Sequence, residues 1–270
     1  MNARRIRNII RKEWAVLSGD ATTFLLIAFL PFLILAEGFV VVRVAAAAGG
    51  QAILDNAFFQ GALSKLIAAQ PAVAELPPLD RVGVLLVTQV NFFLLLIPTM
   101  IAIYSASYSI VEEKLSRSLE PLLATPVRTS ELLLGKALAG AIPAFLMTWV
   151  CAGVYVLAVV ISGWARLLPY VVTANWYLDF LLLAPGIAVL SFLLGVIGSS
   201  RAKDFRNAQN LVLFIVFPIF ALIGVQITGV VWFTPLTTLL LAVGVFVVDA
   251  IVLRLAVRLF QRESIIIRWR

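Results

Sequence analysis

The sequence predicts an all-α integral membrane protein, and three observations support that fold class. Of the 270 residues 62% are hydrophobic, with a mean hydropathy of +1.05, whereas soluble domains are nearer half apolar. The apolar residues are gathered into runs of about 20, the length that an α-helix needs to cross a bilayer. Lys and Arg are concentrated in alternate connections between these runs. We therefore predict six membrane-spanning helices in a single transmembrane domain comprising residues 1–270.

The chain opens with a basic amphipathic segment, residues 1–20, in which five basic residues alternate with apolar side chains such as Trp14. A helix of this type lies in the headgroup layer, with its apolar face toward the acyl chains. We therefore predict an interfacial helix ahead of the first span. The apolar run that follows is long and leads to Glu37 and Arg43 rather than to a cleavage site, so we interpret it as a retained span and not as a signal peptide.

Six apolar segments are predicted to cross the membrane. They comprise about residues 22–42, 82–104, 137–161, 176–198, 210–227 and 236–257. Pro31 is expected to kink the first of them. The connection at residues 43–81 is predicted to be a loop that contains a weakly amphipathic helix around residues 52–69.

The distribution of basic residues predicts the orientation. The N-terminal segment, residues 112–136, residues 201–206 and the C-terminal tail together hold 17 of the 21 Lys and Arg residues. By the positive-inside rule these regions are cytoplasmic. We therefore expect a multi-pass protein of the inner (plasma) membrane with both termini in the cytoplasm. Topology and anionic lipid account for the basic regions, so the net charge of +7 does not indicate a nucleic-acid partner.

Residues 112–136, EEKLSRSLEPLLATPVRTSELLLGK, form the one long polar stretch between spans that carries many charges of both signs. Its leucines recur at helical spacing. Thr125-Pro126 interrupts the pattern, since a residue before proline is disfavoured in a helix. Ser130 is then predicted as the N-cap of a second amphipathic turn. A helix, a turn and a helix outside the bilayer are thus expected, with an apolar stripe that suits docking to another protein.

Within this stretch, L-E-P-L-L-A-T-P-V followed by E-L-L-L-G-K resembles the cytoplasmic loop of ABC type-2 transporter permeases, the membrane subunits of ATP-driven exporters. The opening IRKEW..LSGD and the ending RLFQRESIIIR are similar to the same family. The resemblance implies that the loop carries a coupling helix, which seats in a groove of an ATP-binding cassette subunit. It also implies that residues 1–20 form a cytoplasmic elbow helix. A dimer with a second permease copy, identical or different, is implied as well.

The resemblance further implies which side chains would contact the partner ATPase. The polar contacts would come from Glu112, Glu113, Lys114, Arg117 and Glu120, and the buried contacts from Leu115, Leu119 and Leu122. ATP and Mg²⁺ would be bound by the partner subunit, and no cofactor or metal is expected on this chain.

Several enzymatic chemistries are excluded or disfavoured by the residues themselves. The sequence has no His and a single Cys, Cys151, which excludes His-dependent zinc, haem and acid–base chemistry and an intrachain disulfide. Glu112-Glu113-x-x-x-Arg117 fits the EExxxR motif of membrane-embedded CAAX-type proteases, but that chemistry needs downstream histidines. We therefore expect no catalytic residues in this chain.

A nucleotide site is not predicted either. Gly135-Lys136 is a Gly-Lys pair, but Ser130 and Ala137 stand where a P-loop requires a glycine and a Ser or Thr. ATPase activity is therefore expected from a partner. The alternative function is an ATP-independent secondary transporter or channel, which would conduct without an ATPase. No internal repeat is evident, which argues against an inverted-repeat transporter.

Three carboxylates fall inside predicted spans, where charges are costly and often functional. Glu37 could pair with Arg43, or line a substrate pathway. Asp249 could likewise pair with Arg254 or line the pathway. Asp179 lies near the predicted outer end of its span and is expected to reach the membrane interface.

The predicted topology is testable with single cysteines in a chain whose Cys151 has been replaced. A cysteine at Ala68 should react with an impermeant thiol reagent in intact cells, because residues 43–81 are expected outside. A cysteine at Ser130 should not react until the membrane is permeabilised. The reverse pattern would overturn the span assignment.

Overall fold

The computed structural model describes residues 2–19, 21–115, 128–201, 217–218, 220–221, 224–225 and 232–259. These residues are almost entirely helical, and no β-strand occurs among them. The helices are α1 Ala3–Gly19, α2 Ala21–Asp55, α3 Ala57–Ala69, α4 Pro78–Leu94, α5 Leu96–Leu115, α6 Thr129–Val159, α7 Leu168–Val171, α8 Ala174–Leu178, α9 Ala184–Arg201 and α10 Pro235–Leu259. Tighter or wider helical turns lie between them at Pro71–Glu75, Val160–Trp164, Ala165–Leu167 and Asp179–Leu183.

Among the described residues, five helical segments are long and apolar enough to cross a membrane. They are Ile27–Ala47, Pro78–Ser109, Thr129–Val171, Ala174–Gly198 and Pro235–Leu259. Each overlaps one of the six predicted spans, in agreement with a multi-pass membrane protein. Most of the predicted fifth span, residues 210–227, lies outside the described residues.

Helix boundaries differ from the predicted ones at two places. α2 continues to Asp55, past the predicted end of the first span, because the alanines that follow Arg43 have the highest helix propensity. The predicted second amphipathic turn and the third span are one helix, α6, which runs without interruption from Thr129 to Val159. The expected helix around residues 52–69 is found as α3.

The second span is broken at its middle rather than continuous. α4 ends at Leu94 and α5 begins at Leu96, and the Leu95 N–H donates to the Phe92 carbonyl at 3.1 Å. Pro98 explains the break, since it has no N–H to donate to the carbonyl of Leu94. The neighbouring Leu95 carbonyl accepts a hydrogen bond from the Thr99 hydroxyl at 3.2 Å, next to the Leu94 carbonyl that Pro98 leaves without a backbone donor.

The centre of the bundle depends on close approach between α5, α6 and α9. A Cβ added at Gly140 of α6 would lie 2.5 Å from the Phe192 ring of α9, and one at Gly195 of α9 would lie 2.9 Å from the Ala106 Cβ of α5. Lipid supplies no hydrophobic drive between helices, so small residues that admit tight packing stabilise these contacts. α2 and α10 lie further out and leave many apolar side chains exposed, including Leu33 and Leu240.

The connection at residues 43–81 packs as a helical cap rather than an open loop, at the end of the bundle opposite α1. Leu66 of α3 and Val73 are fully buried in a small apolar cluster with Leu167. Arg166 donates to the Asp80 carboxylate at 2.7 Å, which joins the start of α4 to the turn after α6.

The close packing of α6 predicts a difference between two of its glycines. Gly140→Ala should lower the thermal unfolding midpoint in detergent, because overpacking against Phe192 costs about 1–3 kcal/mol. Gly153→Ala is the matched control, since a Cβ there meets nothing within 4 Å. It should leave the midpoint unchanged or raise it slightly through helix propensity. Equal midpoints for the two variants would contradict the packing.

Candidate functional site

The structure describes the two ends of the central polar stretch, residues 112–115 and 128–136, which we call its roots. α5 runs to Leu115 and α6 begins at Thr129, so the two helices that flank the stretch continue directly into the bundle. The backbone of four predicted ATPase-contact residues lies in the last turn of α5: Glu112, Glu113, Lys114 and Leu115. The other four lie outside the described residues: Arg117, Leu119, Glu120 and Leu122.

Glu131 ties the start of α6 to α1. Its carboxylate accepts hydrogen bonds from the Asn2 N–H at 2.8 Å and the Arg5 guanidinium at 3.4 Å, and also from the Arg128 N–H at 3.4 Å. The last of these is the reciprocal bond of a capping box, with an acidic group where the helix dipole favours it. The predicted N-cap, Ser130, is wrong, because Arg128 occupies the cap position and Ser130 lies inside the helix.

A second and more deeply buried contact joins α1, α5 and α6. The Lys136 ammonium donates to Glu13 Oε1 at 3.0 Å and to Ser109 Oγ at 2.6 Å, while the Ser109 hydroxyl donates to Glu13 Oε2 at 2.8 Å. Lys136 is only 2% exposed, although the sequence placed it in a polar stretch outside the bilayer. We name these three residues the α1 anchor.

The charge state of the anchor follows from its surroundings. Burial by itself raises the pKa of Glu13, but Lys136, Lys12 and the Ser109 hydrogen bond outweigh it and lower the pKa below its ordinary value. Glu13 is therefore ionised at neutral pH, opposite the Lys136 ammonium. Because the folded pKa is the lower one, this stabilisation is present above the ordinary pKa and is lost as the pH falls through the lowered pKa.

Packing of α1 against α6 reinforces the anchor. The Trp14 indole N–H donates to the Ala139 carbonyl at 2.8 Å. A Cβ at Gly135 would lie 2.9 Å from Ile9 Cγ2, so glycine permits the approach of the two helices. α1 thus lies along the first turns of α6, while its predicted place in the headgroup layer stays a prediction. Sequence reasoning overlooked Glu13, although it is the one acidic residue in a basic helix.

Neither of the ion pairs suggested for the in-span carboxylates forms in the described part of the chain. Glu37 is exposed on α2, and Arg43 lies over the Trp164 ring at 4.7 Å from its centroid. Asp249 is 6% exposed on α10, and neither of its carboxylate oxygens has a hydrogen-bond partner among the residues that the structure describes. Arg254 is exposed.

The Asp179 side chain is buried in the bundle, and its expected position at the level of the membrane interface stays a prediction. It is 3% exposed and begins the π-helical turn Asp179–Leu183, a type of turn that is frequent at functional sites. The part of the helical cap at residues 57–75, together with α7, covers this end of the span. Asp179 lines a cavity of about 420 Å³ beneath that cover.

Within the described ranges, no three His, Cys, Asp or Glu side chains converge in a way that could hold a metal ion. The expectation that this chain binds no cofactor stays a prediction.

The α1 anchor predicts unequal effects for two lysines that contact one carboxylate. Lys136→Met should destabilise the chain by about 3–5 kcal/mol, because it leaves Glu13 buried without its charge partner. Lys12→Met is the matched control: Lys12 Nζ lies 3.3 Å from the same oxygen, but its side chain is 49% exposed. Its loss should cost about 0–1 kcal/mol.

The measurement is reversible unfolding in mixed micelles at neutral pH. Adding Glu13→Gln to Lys136→Met should restore part of the lost stability, because the uncompensated charge is removed. Equal losses for both lysine variants would show that the buried pair contributes no more than the exposed one.

Most of this chain is similar to one known protein family. A family model described as ABC-2 family transporter protein matches residues 43–241, about three quarters of the chain. The matched range includes both roots of the central stretch and the cavity at the opposite end. No curated protein and no solved structure matches the chain. The resemblance drawn from the central stretch is therefore confirmed, and the chain belongs to the ABC-2 transporter family.

Proposed function

We propose that this chain is the transmembrane permease subunit of an ATP-binding cassette exporter, which moves a substrate by alternating access while a separate subunit hydrolyses ATP. Family membership and the bundle of apolar helices support a transport role. The observation that carries the proposal is the continuity of α5 and α6 from the ends of the central stretch into the bundle core. A force applied at Leu115 or at Thr129 would pass along a helix directly into the membrane-spanning bundle.

The proposed coupling step begins at the central stretch. Closure of the ATPase dimer would push the predicted helix at residues 112–124 and displace the adjoining ends of α5 and α6. α6 has 31 residues and, at 1.5 Å per residue, is about 46 Å long. It therefore reaches from the central stretch to the opposite end of the bundle.

The α1 anchor would make the two roots move as one body. Ser109 lies near the end of α5 and Lys136 near the start of α6, and Glu13 joins both to α1. A displacement of the central stretch would therefore carry α1 with it. On this proposal both termini and the central stretch are cytoplasmic, in the inner (plasma) membrane, where the ATP is.

The second permease copy is proposed to cover faces that are open in a single chain. α2 presents Glu37 among exposed apolar side chains, whereas Asp249 on α10 is buried and its carboxylate has no hydrogen-bond partner among the described residues. A charge that faces lipid is unfavourable, and so is a charge that is buried without a partner. Placing these helices along a pathway between two copies would give both carboxylates a polar environment and a possible role in substrate passage.

Coupling through the central stretch is testable in liposomes that contain this chain together with an ATP-binding cassette subunit. Glu120→Lys, which reverses a charge at the proposed contact, should lower ATP-driven transport at least tenfold while the permease still inserts. Glu75→Lys is the matched control, because Glu75 is an exposed glutamate in the cap at the opposite end. It should transport like the wild type.

Crosslinking locates the contact directly. With Cys151 replaced, a cysteine at Ser116 or Ser118 should crosslink to the ATPase subunit, and one at Ala68 should not. The purified permease alone should hydrolyse no ATP. The coupling proposal would be wrong if cysteines along residues 112–124 never crosslink in an active complex, or if the chain conducts at full rate without an ATPase.

A further inference from the structure

The cavity at the end opposite α1 has the size of a small-molecule site. It lies between α4, the turn before Pro71–Glu75, the α7–α8 connection and the start of α10, with a volume of about 420 Å³. Ligand pockets in proteins measure about 300–1,000 Å³. It is far from the α1 anchor, because α6 separates the two ends of the bundle.

The residues that line this cavity carry more unpartnered acceptors than donors: in the described part of the chain, the one buried N–H without a partner among them is that of the Trp176 indole. Four lining residues have a buried oxygen that lacks a hydrogen-bond partner in the described part of the chain: Gln70 Oε1, Thr88 Oγ1, Asn91 Oδ1 and Asp179 Oδ1. Asp179 and Asn91 are each only 3% exposed. Leaving such a group unsatisfied costs about 1–3 kcal/mol, so this wall favours a ligand that donates hydrogen bonds.

The charge of the wall is one-sided. Asp179 supplies a carboxylate, and no Lys or Arg is present among the described residues that line the cavity. A buried carboxylate is stable only when it is protonated or when a positive charge compensates it. A ligand that carries a positive charge would provide that compensation.

Aromatic rings form much of the remaining surface. Phe92 and Phe233 line the cavity with ring centroids 5.5 Å apart, and Trp176 lines it while packing edge-on against Phe180 at 4.8 Å. Ring faces attract organic cations. An inorganic cation such as Ca²⁺ would instead need several oxygen ligands at about 2.3–2.6 Å from the ion. It would make no use of the aromatic rings.

The wall is held in place by hydrogen bonds behind it. The Asn175 amide donates to the Phe233 carbonyl at 3.2 Å and accepts from the Thr238 hydroxyl at 2.6 Å. These bonds fix the α8 side of the cavity to the start of α10. The position of Asn175 beside the start of α10 is therefore fixed without a ligand.

We propose that this cavity binds a small organic ammonium ion, with its N–H groups toward Asp179 and the neighbouring oxygens and its apolar body against the aromatic rings. The inference stands apart from ATP-driven transport, since it concerns binding to this chain alone. It gives Asp179 a role as the charge that selects the ligand.

Three ligands of nearly equal size and different charge can show whether binding depends on the charge of the ligand or only on its shape. The protonated phenethylamine should bind the full-length wild-type chain in phosphatidylglycerol nanodiscs, measured by isothermal titration at neutral pH. The uncharged 2-phenylethanol should bind at least tenfold more weakly, and the phenylacetate anion should show no binding. Equal affinity for the ammonium ion and the alcohol would overturn the proposal without any mutation.

Two variants test the assigned carboxylate. Asp179→Asn keeps the side-chain shape and should weaken phenethylammonium binding at least tenfold, while leaving the weak binding of 2-phenylethanol unchanged. Glu75→Gln removes a negative charge at the same end but outside the cavity lining and should bind like the wild type. Equal weakening by both variants would show general surface attraction, and unchanged binding by Asp179→Asn would refute the site.

The source of the ammonium group can be distinguished in the same assay. Repeating the titration in nanodiscs that contain phosphatidylethanolamine tests whether a lipid headgroup competes for the site. A lower apparent affinity there, absent in Asp179→Asn, would identify the headgroup as an occupant. An unchanged affinity would identify soluble amines as the ligand class. Both outcomes support recognition of an ammonium group.

Discussion

The buried contact among Glu13, Ser109 and Lys136 is the interaction on which the α1 end of the bundle depends. Burying two charges is costly, and their attraction compensates only when geometry and further hydrogen bonds are good. Here each Glu13 oxygen has a donor, and Lys136 reaches both the carboxylate and the serine hydroxyl. The contact therefore fixes α1 against two different helices. Gly135 and Trp14 could not pack as they do if α1 were elsewhere.

Beyond this end, the centre of the bundle is tightly packed. Gly140 and Gly195 bring α5, α6 and α9 so close that the three helices cannot slide past one another independently. α6 then continues to the cap and the cavity. A permease needs such a connection, because work done at the cytoplasmic surface must alter access on the other side.

Three carboxylates that look alike in the sequence acquire three environments in the structure. Glu37 is exposed on an outer helix, Asp249 is buried without a hydrogen-bond partner in the described part of the chain, and Asp179 lines a cavity that also has aromatic lining residues. Hydropathy alone marks all three as in-span charges. Of the three, Asp179 alone lines the cavity whose described lining also includes Gln70, Thr88 and Asn91 with unpartnered oxygens, and for that reason it supports a ligand of definite chemistry rather than a general role in a pathway.

Several features could be read from the sequence because each follows from local composition. The five described spans and the helix at the N-terminus are set by apolar length and periodicity, and the balanced charges of residues 112–136 marked the central stretch and its family. The break at Leu95 was also readable, since Pro98 lacks the N–H that would continue the helix. It was missed because hydropathy runs smoothly across it.

The sequence by itself determined the fold class, the five spans that the structure describes and the family of this protein, because lipid imposes a length and an apolarity that each segment must meet on its own. The tertiary structure decided which polar residues are buried and with whom. Glu13 and Lys136 are 123 positions apart in the chain, and the residues that line the Asp179 cavity come from at least four separate segments. Such contacts form only when helices that are distant in the chain pack together. The periodicity within one segment therefore cannot predict them.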